Sequence, residues 1–161
     1  MSTWYENFEE GVILSLKGFK RSDLRFFRID EYLRIAGRVD EFALSCSDCH
    51  AFRTEMEKHA PLLVKAVGEP GPERRKLDGL QSRMSDHMRK RHGIYPAWYF
   101  TYRYSFYWTA ALIALAFLAH LFYSNADIWL FFAPAFAIGV VTGQFTGGKK
   151  DRRIREAKKM L

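Results

Sequence analysis

The chain has only two cysteines among its 161 residues, too few for a disulfide scaffold. It has no low-complexity stretch and no long internal repeat, and at 48% hydrophobic it is too apolar for a disordered chain. The opening MSTWYENFEEG is acidic and lacks the basic segment and apolar run of a secretory signal, so none is expected. There is no G-x-S-x-G elbow, Walker loop, H-E-x-x-H or G-x-G-x-x-G after a strand, which disfavours an enzyme.

Charge is present but unevenly placed. The net +7 falls mostly between Lys149 and Leu161, where seven basic residues face two acidic ones, and the first 148 residues are nearly balanced. A concentrated basic tail suits a lipid headgroup surface. It lacks the interleaved aromatics of a nucleic-acid binder, so nucleic acid is not an expected partner.

Two long uncharged runs precede that tail, Tyr104–Tyr123 and Ile128–Gly148, separated by Ser124-Asn125-Ala126-Asp127. About 20 apolar residues at ~1.5 Å each cross a hydrocarbon core of ~30 Å. Aromatic residues gather at their edges (Trp98, Tyr99, Phe100, Tyr102, Tyr104, Tyr107 and Trp108 on entry, Tyr123 and Trp129 around the turn), as at a membrane interface. The expectation is a transmembrane helical hairpin. Arg89, Lys90, Arg91 and Arg103 precede it and the basic tail follows, whereas the turn has no Lys or Arg. The positive-inside rule then predicts an integral protein of a bacterial inner or plasma membrane, both termini cytoplasmic.

Cys46-Ser47-Asp48-Cys49-His50 matches the C-x-x-C-H pattern of c-type haem attachment, with His50 as axial ligand. Such attachment normally takes place across the membrane, on the side opposite the expected one, so haem c on Cys46, Cys49 and His50 is the alternative reading. The preferred one pairs Cys46 and Cys49 with His87 and His92, the ligand set of a tetrahedral structural zinc site. The long gap between the two pairs is weak support; their local spacings carry the reading. His50 or His59 could replace either histidine, and both cysteines could instead be small core residues. A redox C-x-x-C lacks the βαβ surroundings it would need, and an iron–sulfur cluster lacks further cysteines.

Helical periodicity supports convergence of the four. Leu33, Ala36, Val39, Ala43 and Cys46 recur every three or four residues, which predicts one long amphipathic helix between Ile29 and His59. A second helix is predicted to start at Pro72, after the breaker Gly68-Glu69-Pro70-Gly71. Its apolar face reads Leu77, Leu80, Met84, His87 and Met88, and Gly93 is the expected C-cap. His92 lies off that face unless the helix unwinds as it ends.

Residues 12–19 and 24–29 are β-prone and flank a turn-like Lys20-Arg21-Ser22-Asp23, which predicts a short β-hairpin, the segment best placed for a partner contact. In the second apolar run Ala135, Gly139, Gly143 and Gly147 recur every four residues, a small-residue face for helix packing. It would meet Ala110, Ala114, Ala116 and Ala119 within the hairpin, or another subunit.

The predicted fold is mainly α: an N-terminal segment (1–28) with a β-hairpin, a cytoplasmic helical metal-binding domain (29–95), a transmembrane hairpin (96–148) and a basic tail (149–161). The predicted function is a non-catalytic membrane accessory or scaffold subunit that docks a partner, with the bilayer and other membrane-protein subunits, or self-association, as partners. A membrane-anchored haem carrier and a homo-oligomeric channel are the alternatives. The channel is the weakest, because neither span carries a charge to line an ion path.

Overall fold

Helical periodicity governs the chain from its first turn. In the computed structural model, which describes residues 3–123 and 127–161, α1 spans Thr3–Ser15 and buries Phe8 and Val12, followed by Leu16. These three residues lie four apart, and the Trp4 and Phe8 rings stack at the same spacing, centroids 5.0 Å apart. That stripe corrects the predicted β-hairpin. The β-branched and aromatic character of Val12–Phe19 is a weak preference, and burial of an i, i+4 face overrides it. The second arm is helical too: α2 spans Arg21–Phe26, and the residues read as a turn begin it. Arg28 takes a left-handed conformation (φ 54°) that separates α2 from α3, Ile29–Phe42. Among the described residues the β structure is limited to one isolated bridge between Tyr95 and Met160.

The long helix expected from Ile29 to His59 is two. α3 buries Ile29, Tyr32, Leu33, Ile35, Ala36 and Val39. The chain then turns through Ala43–Ser45, and α4 spans Ser47–His59 with Cys46 extended at its N-cap (φ −133°). Ser45, Cys46, Ser47 and Asp48 are poor helix formers, and Asp48 is better placed in a first turn than in a helix interior. A 3₁₀ turn (Ala60–Leu62) leads to α5, Leu63–Gly68. The Arg74 guanidinium donates to the carbonyls of Ala66 and Val67 at the end of α5 and lies 4.3 Å over the Phe27 ring. α6, Pro72–His87, starts at the expected proline and buries Leu77, Leu80 and Met84. A π-turn, Met88–His92, follows and ends at Gly93, whose φ of 64° is the left-handed cap expected there.

The chain divides into two compact units, Met1–Gly93 with Leu161, and Ile94–Met160. The second is a hairpin of α7, Tyr99–Phe122, and α8, Ile128–Glu156. Both helices are long and apolar enough to cross a membrane, and only 6% and 11% of their most apolar stretches are buried, the reverse of a soluble protein's core helices. The chain is thus mainly helical, with an integral-membrane hairpin. Of the predicted turn, Ser124–Ala126 lie outside the described residues; Asp127 caps α8 by accepting the Trp129 N–H at 3.0 Å. α8 runs through Lys149–Glu156 without a break, since Lys and Arg form helix well and suit its C-terminal end.

Gly139, Gly143 and Gly147 are buried against α7. A Cβ on them would come within 2.6, 2.2 and 2.4 Å of the Cα atoms of Thr109, Ser105 and Thr101 respectively. Small residues thus let the two backbones touch. The opposing row is Thr101, Ser105 and Thr109, continued two turns on by the buried Ala116; of the other alanines expected there, Ala119 is half-buried and Ala110 and Ala114 are exposed. The next position of the α8 row, four beyond Gly147, is Asp151, 1% exposed. Its carboxylate accepts the backbone N–H groups of Phe100 (3.1 Å) and Thr101 (2.9 Å) and the Thr101 hydroxyl (2.6 Å). An α8 side chain thereby caps the first turn of α7, where N–H groups lack intrahelical partners.

Candidate metal centre

Two ends of helix meet in the N-terminal unit. At the start of α4, Cys46 is the N-cap and Cys49 lies one turn in, buried. From the end of α6, His87 points its Nε2 between them, 3.4 Å from each Sγ. His92 Nε2 is 3.4 Å from Cys49 Sγ, and the four donor atoms all lie within 4.8 Å of one another. The structure therefore brings Cys46, Cys49, His87 and His92 into one cluster. His50, the haem-ligand candidate, is exposed and outside it, and the half-buried His59 lies outside it too.

The π-turn is what places His92. On an α-helix, residues five apart point about 140° away from each other. Widening to i→i+5 hydrogen bonding, roughly 4.4 residues per turn, reduces this to about 50°. The His87 and His92 rings accordingly lie 5.2 Å apart. Aromatic walls fix both imidazoles: His92 stacks on Phe42 (4.0 Å, 18°), and Phe52 meets His87 edge-on at 5.4 Å. The far nitrogen of His87, Nδ1, lies 3.6 Å from Asp48 Oδ2. Sequence reasoning gave Phe42 and Phe52 no role and left Asp48 as a surface residue of the Cys46–His50 string. The available signal was position: four before Cys46, three after Cys49, and between the cysteines.

Electrostatics suit cation binding. Burial lowers the His87 pKa below its ordinary value, which keeps the imidazole neutral with a lone pair free. Burial, then the neighbouring Cys46 and Asp48, pushes the Cys49 thiol up to about 12, so without a cation it keeps its proton. A bound metal ion would displace that proton. The set can chelate a metal ion, and all four donors are protein side chains.

Comparison of the chain with protein families, with characterised proteins and with solved structures finds no match. Fold and site together define a class: a helical unit with a Cys₂His₂-type cluster, joined to two helices of membrane length.

Proposed function

We propose that the chain is a non-catalytic, membrane-anchored accessory or scaffold subunit, whose helical unit is held in shape by zinc on Cys46, Cys49, His87 and His92. The supporting observation is the cluster itself. Zn–S bonds of about 2.3 Å and Zn–N bonds of about 2.05 Å at tetrahedral angles set S···N edges of about 3.5 Å. Three of the four S···N separations are 3.4 Å, and all four donor atoms lie within 4.8 Å of one another. Four protein ligands close a zinc shell and leave no position for a substrate water, which is the pattern of structural sites. Asp48 Oδ2, 3.6 Å from His87 Nδ1, stands where the outer carboxylate partner of a ligating imidazole is commonly found.

Zinc is favoured over other metals because it accepts two thiolates with two imidazoles and needs no redox maintenance in a reducing compartment. Arg89, Lys90, Arg91, Arg103 and the basic residues after the second helix support a cytoplasmic position for both flanks of the hairpin by the positive-inside rule. The rigid helical unit then offers a docking surface for a membrane-protein partner. Haem c has no comparable support, since both cysteines engage His87 and His50 stands in solvent.

Elemental analysis and a visible spectrum of the purified full chain test the proposal. One zinc per chain and no haem absorption are expected, with zinc lost from His87→Ala and Cys46→Ser. Unchanged metal content and thermal stability in both variants would make the cysteines ordinary core residues; a haem spectrum would replace the scaffold with an electron carrier.

A further inference from the structure

Near the basic end of the hairpin an open groove of about 640 Å³ runs along α8, lined by Tyr104, Trp108, Thr146, Lys149, Lys150 and Arg153. Its three cations form no ion pair among the described residues, and no carboxylate lines it. Aromatic groups hold two of them in place. Lys150 Nζ lies 4.3 Å over the Phe100 ring and donates to the Tyr104 hydroxyl at 3.3 Å, and Lys149 Nζ lies 4.1 Å over Phe145. A second groove, beside Trp98, Arg152 and Arg155, is also lined by Asp151 and is the poorer anion site.

Depth decides the occupant. From Ile128 to Gly148, α8 is about 32 Å long, the thickness of a hydrocarbon core, so Lys149 is its first residue at the headgroup level. On α7, Ser105 faces Gly143 and Thr109 faces Gly139, so Tyr104 lies about one and a half turns deeper than Lys149 and Trp108 about two and a half. A ligand filling the groove must be anionic at one end and apolar at the other. We propose that the groove is a binding site for an anionic phospholipid, with Lys149, Lys150 and Arg153 on the headgroup phosphate and Trp108 against the glycerol and upper acyl chain. This rests on the hairpin lying in a bilayer and not on the metal reading.

Native mass spectrometry of the full-length protein in detergent, titrated with phosphatidylglycerol or phosphatidylcholine, tests it. Preferential retention of one phosphatidylglycerol is expected. Lys150→Gln with Arg153→Gln should weaken it about thirtyfold, whereas the charge-matched Lys158→Gln with Lys159→Gln should change it less than about threefold. Lys150→Arg should retain binding. Equal losses in both double variants would reduce the effect to general attraction by the basic end. No loss in either, no preference between the lipids, or full displacement by millimolar inorganic phosphate would overturn the proposal. Zinc content, measured on the same samples, should stay constant, so failure here leaves the metal reading standing.

Discussion

Asp151 offers a direct measure of what joins the two membrane helices. Asp151→Ala removes the acceptor for three donors and leaves the backbone N–H groups of Phe100 and Thr101 without their partner in a buried position. An unsatisfied buried donor costs about 1–3 kcal/mol, so the two together cost about 4 kcal/mol, near a thousandfold in the folding equilibrium of the hairpin. Asp151→Asn keeps one acceptor oxygen but turns its amide N–H₂ toward the remaining donors, and about 2 kcal/mol is expected. Glu156→Ala, exposed on the same helix, should stay within about 0.5 kcal/mol of wild type. The assay is unfolding of the purified protein by rising dodecyl sulfate in mixed micelles, followed by tryptophan fluorescence, three of the four tryptophans (Trp98, Trp108 and Trp129) lying in the hairpin unit. If Asp151→Ala unfolds at the wild-type concentration, the cross-helix cap contributes nothing and the reasoning fails.

Gly143→Leu should separate α7 from α8 and destabilise the hairpin by about 3 kcal/mol or more in the same assay, because even a Cβ would sit 2.2 Å from Ser105 Cα. Gly148→Ala, whose Cβ would meet only Thr101 Oγ1 at 3.9 Å, should be close to neutral. In the other unit Gly79→Ala should raise thermal stability by about 0.5–1 kcal/mol, since Gly79 lies exposed inside α6 with nothing within 4 Å of the added methyl. Asp48→Asn should weaken zinc binding about tenfold in a chelator competition while leaving the stoichiometry at saturation unchanged. An unaltered affinity would show that His87 needs no partner on Nδ1.

The features legible in the sequence were those with a strong period or a fixed spacing. Pro72, Gly93, the two apolar runs and the row of glycines each announced an element or a contact. Convergence of Cys46, Cys49, His87 and His92 was legible from helix faces, though from a partly mistaken secondary structure. One helix through Cys46 and a break before it both set Cys46 and Cys49 one turn apart. The β-hairpin failed because residue type was read at Val12–Phe19 while the four-residue row Phe8, Val12 and Leu16 was not. Asp151 was invisible for a different reason. Inside a run of lysines and arginines it reads as one more solvated charge, and only the register with Gly139, Gly143 and Gly147 reveals it as part of the helix interface.

The length of chain between the two ligand pairs, a weak feature in the sequence, explains why a metal would matter to this fold. Cys49 and His87 are thirty-eight positions apart. A cross-link closing a loop of that size restricts the unfolded chain by about 4 kcal/mol on the chain-entropy account, against about 5–15 kcal/mol for the whole stability of a typical domain. A zinc-finger spacing of a dozen residues would give less and would organise only a local turn. Here the tie spans α4, the 3₁₀ turn, α5 and α6, so one ion would fix the start of α4 to the end of α6 and hold everything between them. The unit has an apolar core of its own, running from Val12 and Tyr32 to Leu80 and Met84, but no disulfide ties it, and its four donors are already gathered. Metal binding in such a unit acts mainly on folding, which is why we read the cluster as a brace for a docking surface and not as a reaction centre.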